Sequence, residues 1–283
     1  MKKEIKIHLL HTGSVYVSQG VPYGNASMVK ASGIFEPKSS FSWILVSVYL
    51  VEHPDGLVLF DTGWGREIAP EGGVDPKAQS RQMGRLLTKI SKGRLPAGES
   101  AKEQLLKLGY LPSDLDYVVL SHLDVDYVSG LRDVAEAKNL LVSRPELEAA
   151  SRLKNRGRYY PALWEGLPLE PFDYAETGIG PFGKSYDLFD DVSVRLVDIA
   201  VHTDGLCGML VSRNDKYVLM FADGGYSSRS WQEMILPGPY ADKAELRKSL
   251  EWIREMSMGK GCVVKPVEDY FTFSIQLKRS SRL

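Results

Sequence analysis

Two cysteines in 283 residues, Cys207 and Cys262, are too few for a disulfide framework, and a reducing compartment is the expectation that follows. Neither charge sign is in excess: 35 Lys and Arg against 36 Asp and Glu leave a net charge of −1. That balance argues against nucleic acid or an acidic membrane surface as partner, because both favour a clustered basic face. The one basic cluster, Lys278-Arg279-Ser280-Ser281-Arg282, reads as a solvated tail. Long hydrophobic runs are missing too; Trp43 to Val51, the longest, contains Ser47 and is only about half a membrane span. Lys2-Lys3-Glu4 leads directly into an alternating strand pattern, without the order of a signal peptide, so the expected location is cytoplasmic. No Pro/Gly/Ser linker or charge block divides the chain, and a single domain over residues 1–283 is expected. The glycines near Gly13 and from Gly20 to Gly24 lack the lysine and hydroxyl that a phosphate-cradling loop requires. Histidine is scarce, with five residues at positions 8, 11, 53, 122 and 202.

What is present has the composition of a globular protein, 43% apolar and 25% charged. Ile5 to Leu10, Trp43 to Val51 and Gly56 to Phe60 read as strands, followed later by Tyr117 to Leu120, Leu140 to Val142, Val192 to Val197, Gly208 to Val211 and Tyr217 to Phe221. Ser100 with Glu103 predicts a capping box ahead of Leu105, Leu106 and Leu108, and Ser143 with Glu146 repeats the device. Leu246, Leu250, Ile253 and Met256 form one apolar stripe of a helix from about Asp242 to Met256. Strands first, then strands and helices in mixed order, predict α/β layers rather than a purely parallel sheet. His8 and His11 read as structural, and Cys207 as a small buried hydrophobe. Arg156-Gly157-Arg158-Tyr159-Tyr160-Pro161 mixes cations and aromatics, and its place after a helix suggests a lid or pocket wall.

The densest chemistry lies in Leu120-Ser121-His122-Leu123-Asp124-Val125-Asp126-Tyr127, where an apolar strand turns polar. One imidazole and two carboxylates within five residues can converge on a divalent cation; a strand end followed by a solvated acidic loop has the same pattern. The segment resembles the HxHxDH signature of the metallo-β-lactamase superfamily, and three further landmarks recur in that superfamily's order. Val58-Leu59-Phe60-Asp61-Thr62-Gly63 is similar to its early DTG turn, Val201-His202-Thr203-Asp204-Gly205 to its GHTPG loop, and Val218-Leu219-Met220-Phe221-Ala222-Asp223 to the strand carrying its bridging aspartate. Asp223-Gly224-Gly225-Tyr226 resembles the DxxY of N-acyl homoserine lactone lactonases. The resemblance implies a four-layer αββα sandwich with the metal loops at one edge.

Transferred position by position, the resemblance implies a metal site of His122, Asp124, His202 and Asp223, with aspartate in place of the second signature histidine. The second site inherits Asp126, Tyr127 and Asp223, plus Val267 or, with a shift of one, Glu268, and so is poorly supplied. A phenol with an ordinary pKa near 10 is a reluctant ligand. Asp61 is expected to orient the metal loop rather than to bind the ion. The implied cofactor is one divalent ion (zinc, manganese or iron), and the implied partner a small-molecule substrate. The expected activity is hydrolysis of a small ester or lactone, with Asp126 and Tyr226 as catalytic groups. The alternative that the broken histidine pattern leaves is an inactive relative kept for binding or regulation, and the fold also hosts redox chemistry.

Overall fold

The computed structural model describes residues 4–24, 32–200, 202–238, 240–260 and 262–264. The early chain forms β1 (Lys6–Ser18), β2 (Phe41–His53), β3 (Gly56–Phe60), β4 (Lys92–Arg94), β5 (Tyr117–Leu120), β6 (Asn139–Ser143) and β7 (Leu169–Phe172). These make one sheet in the order β4-β1-β2-β3-β5-β6-β7. β8 (Ala175–Glu176), β9 (Lys184–Asp187), β10 (Val194–Asp198), β11 (Cys207–Arg213), β12 (Lys216–Met220) and β13 (Cys262–Val264) make a second, in reverse order from β13 to β8. Helices cover both outer faces, so the layers are αββα, as the family resemblance implies.

Alternation along each strand explains the layering, because successive side chains point to opposite faces. On β12, Val218 and Met220 join the core between the sheets, while Leu219 packs outward against Leu246, Leu250 and Ile253 of the helix Lys243–Met258. On β5, Val119 faces inward and Val118 and Leu120 face the helices of the first layer. Both faces are apolar, which is why these strands read as continuous hydrophobic runs.

β1 departs from simple alternation, with consequences for the site. Its register with β2 slips between His11 and Ser14. Ile7 and Leu9 therefore point between the sheets, whereas Val15 and Val17, also odd-numbered, point to the opposite core. Gly13 permits the slip: its φ is 81°, and a Cβ there would stand 2.0 Å from the Arg94 carbonyl oxygen. The bulge turns Val15 and Val17 toward the cavity described below.

Candidate metal centre

Turns after β3, β5, β10 and β12 open on the same edge of the two sheets. Asp61 follows β3, His122 follows β5, His202 lies between β10 and β11, and Asp223 sits in the turn Ala222–Gly224 after β12. Asp124 is the N-cap of the short helix Val125–Val128, which carries Asp126 and Tyr127. Asp61 (φ 66°) and Ala222 (φ 42°) both hold left-handed backbone, a strain that persists only where the surroundings impose it. Asp61 accepts a hydrogen bond from the Ser121 amide at 2.7 Å, and the Cys207 amide donates to the Ser121 carbonyl at 2.8 Å. The loop that carries His122 is thus pinned from both sheets. Cys207 itself is buried in the core between them.

The sequence-predicted ligands converge. The His122 and His202 ring centroids are 5.6 Å apart. Asp124 Oδ2 stands 3.5 Å from His122 Nε2 and 2.9 Å from His202 Nε2; Asp223 Oδ2 stands 4.0 Å and 3.4 Å from the same two atoms. Four ligands about 2.0–2.1 Å from a tetrahedral metal lie about 3.3 Å from one another, so the set has the size of a single-ion cage. His122 adds an independent sign: its Nδ1 is bonded to Ser121 Oγ at 2.8 Å, while its buried Nε2 has no hydrogen-bond partner. An orphaned imidazole nitrogen aimed at two carboxylates fits a metal ligand.

The electrostatics favour a cation. Burial opposes protonation of His122, yet Asp124, Asp223 and Glu146 outweigh it and lift the imidazole to about 9. Burial likewise favours the neutral acid at Asp124, but Arg158 and the two imidazoles hold it well below the usual carboxylate range. Asp126 goes the other way: burial, then Asp223 and Asp124, push it up to about 8. Burial raises Asp61 to about 7 against the pull of His122 and the Ser121 amide.

The second-site residues are arranged differently. The Tyr127 hydroxyl donates to Asp223 Oδ1 at 2.7 Å, and burial followed by the charge of Asp223 keeps that phenol well above its ordinary pKa. Tyr226 donates to the other oxygen, Asp223 Oδ2, also at 2.7 Å. Glu268 and Val267, and the basic tail after them, lie outside the described residues. A separate cluster of His53, Asp55 and Asp191 sits at the opposite ends of the strands. There the Asp55 amide donates to His53 Nδ1 and Ser193 Oγ is bonded to Nε2, so both ring nitrogens are engaged.

Two residues beyond the predicted set complete the centre. Glu146 corrects the second capping-box expectation. Ser143 does accept from the Glu146 amide, but the fully buried Glu146 carboxylate reaches the Leu123 amide at 2.9 Å instead of returning to Ser143. Arg158, in the segment expected to form a lid or wall, makes a fork with Asp124: Nε donates to Oδ1 at 2.6 Å and Nη2 to Oδ2 at 2.5 Å. A cavity of about 370 Å³ opens from these groups, with Val15, Val17, Ile44, Val46, Leu87 and Ile90 on its walls.

The sequence profile of the metallo-β-lactamase superfamily matches residues 42–257. The chain belongs to that superfamily. A probable metallo-hydrolase of Mycobacterium tuberculosis is 31% identical over 194 residues, covering 65% of this chain and 57% of the relative. The chain therefore spans little more than half the length of that protein. The N-acyl homoserine lactonase AttM of Rhizobium radiobacter is 26% identical over 218 residues, covering 75% of this chain and 76% of the relative. Among solved structures, an N-acyl homoserine lactone hydrolase with N-hexanoyl-L-homoserine at its catalytic metal centre superposes with a TM-score of 0.71 at 18% identity, covering 94% and 93% of the two chains. The dizinc lactonase AidC gives 0.61 at 14% identity, covering 100% and 97%. Superfamily membership together with the clustered His122, Asp124 and His202 implies a divalent metal. Among the described residues, no helix is long and apolar enough to cross a membrane.

Proposed function

We propose that this chain is a metal-dependent hydrolase of a small ester or lactone, built on one divalent ion held by His122, Asp124, His202 and Asp223. The observation that carries this reading is the spacing of the four donor atoms, 2.9–4.0 Å between imidazole and carboxylate, around the unpaired His122 nitrogen. Two carboxylates in the set favour harder ions such as manganese or iron(II), with zinc also compatible. Bound there, a divalent ion supplies Lewis acidity, which acidifies water and polarises a carbonyl.

The chain's own groups do the rest. Asp126 lines the cavity beside the donor set; ionised once a bound cation offsets the burial and the charges of Asp223 and Asp124 that raise its pKa, it would orient the attacking water and accept its proton. The Tyr226 hydroxyl also lines the cavity; its hydrogen swings about the C–O bond, so the same oxygen donates to Asp223 at rest and to a carbonyl oxygen as negative charge develops. The valine and isoleucine walls suit an apolar acyl arm. Lactonase relatives and neighbours support a lactone with such an arm as the substrate class.

One observation favours the second reading, a binding or regulatory relative without catalysis: the Arg158 guanidinium pairs with Asp124 and offsets the charge a cation would seek. Turnover decides between them. Metal-supplemented protein is expected to open members of a panel of acyl lactones and simple esters. No turnover on any of them would sink the hydrolase reading and leave the binding role in its place.

A further inference from the structure

Among the described residues, the Arg158 guanidinium is the one cation forked onto a proposed metal ligand, and it is largely buried, with 14% of its side chain exposed. Nε and Nη2 hold the two oxygens of Asp124, and Nη1 donates to the His202 carbonyl at 3.0 Å. It therefore ties together the loops that carry two different ligands. Its own position is fixed through the chain. The Arg158 amide donates to the Asn155 carbonyl at 2.9 Å, and Asn155 Nδ2 donates to the Ala149 carbonyl at 2.8 Å, near the end of the helix Arg144–Ser151. The same helix sends Glu146 to the Leu123 amide, so one short helix braces both the metal loop and the arginine.

We propose that Arg158 is a positioning residue of the metal centre, and that the Asp124–Arg158 pair serves as one neutral ligand in the place an imidazole would take. The inference rests on the single-ion reading above. A carboxylate has about four lone-pair sites, and a forked arginine occupies one on each oxygen. Oδ2, 3.5 Å from His122 Nε2, has its second lone pair turned to His202 Nε2, to which it is hydrogen-bonded at 2.9 Å; that lone pair passes to a cation when His202 turns a neutral, unprotonated nitrogen to the same ion. The fork fixes the rotation of the carboxylate and cancels its charge. The opposing account is that a buried guanidinium simply repels a cation. The two accounts predict opposite signs when the arginine is removed.

Affinities for manganese and zinc, measured by competition with a chelator, test the proposal on the wild-type chain, Arg158→Met, Arg158→Lys, Asp124→His and the double variant Asp124→His/Arg158→Met. Arg158→Met is expected to weaken metal binding about 10–100-fold, the usual effect of losing a group that orients a ligand. Arg158→Lys should weaken it as well, because an ammonium keeps the charge but not the planar fork. Asp124→His alone should also bind poorly, since it leaves the guanidinium buried without its carboxylate, whereas the double variant should return to within a few-fold of wild type. Arg158→Met binding as tightly as wild type or tighter, or a double variant no better than either single one, would overturn the proposal. If Arg158→Met does not fold, the double variant decides: a merely structural role for Arg158 leaves it as defective as the single change. A wild-type chain that retains no metal removes both the hydrolase reading and this inference; a metal-binding wild type indifferent to Arg158→Met removes only the latter.

Discussion

The Tyr127 hydroxyl donates to Asp223 Oδ1, the oxygen opposite the one that faces His202 and Tyr226. On the single-ion reading proposed above, this phenol closes Oδ1 to a second ion. Tyr127→His should remove that closure. With metal added in excess, the bound ratio is expected to rise above one ion per chain. A ratio that stays at one in the folded variant would show that the phenol is not what excludes a second ion.

Tyr226→Phe should lower kcat on a lactone by about tenfold to several hundredfold with a smaller change in KM, because the hydroxyl is proposed to act on developing charge rather than on substrate binding. Steady-state kinetics on metal-loaded protein check this. A rise in KM at unchanged kcat would assign Tyr226 to the pocket wall instead.

Acid should weaken the first helix layer through Glu103. Burial raises the pKa of this carboxyl, but Ser100 and Arg66 outweigh it and depress the group from 4.5 to about 2. A depressed carboxyl contributes stability that is present above the unfolded value and lost as pH falls through the folded one. The melting temperature of the wild type should therefore drop more steeply than that of Glu103→Gln between pH 4.5 and about 2. Parallel curves would show that the Ser100 capping box and the Arg66 pair contribute little.

Gly63→Ala should destabilise the fold by roughly 2 kcal/mol or more, combining left-handed strain with overpacking. Gly63 has a φ of 63°, and a Cβ there would fall 1.9 Å from Thr12 Oγ1. Because Asp61 precedes this turn and holds the Ser121 amide, metal retention should fall as well. Unchanged thermal unfolding would contradict the tight approach of β1 to this turn.

The parts of the site that sequence reveals are those whose signals are local. An apolar strand turns polar at Ser121, and the short motifs around Asp61, His202 and Asp223 resemble the superfamily's landmarks, a resemblance that implies that the four proposed ligands meet at one edge. Partners distant in sequence are not legible in this way. Glu146 sits three residues after Ser143 and so mimics a capping box, but the Leu123 amide, 23 residues away, takes its carboxylate. Arg158 lies 34 residues from Asp124. The clue to it is indirect: an aspartate in place of an imidazole on a buried loop needs a cation nearby. The helix Pro76–Ile90 is not among the expected helices because Gly84, with φ 75°, interrupts it and confines its apolar stripe to Met83, Leu87 and Ile90. The extents of β1 and β2, 13 residues each, exceed the apolar runs because threonine, serine and a glycine bulge continue the pairing beyond them.

The central claim is a single metal centre made by His122, Asp124, His202 and Asp223. Elemental analysis of protein purified without added metal, set beside His202→Ala prepared in the same way, tests it most directly. About one manganese, iron or zinc ion per wild-type chain, with near-complete loss in the variant, is the predicted result. Two equally tight ions, or metal that survives His202→Ala unchanged, would contradict it.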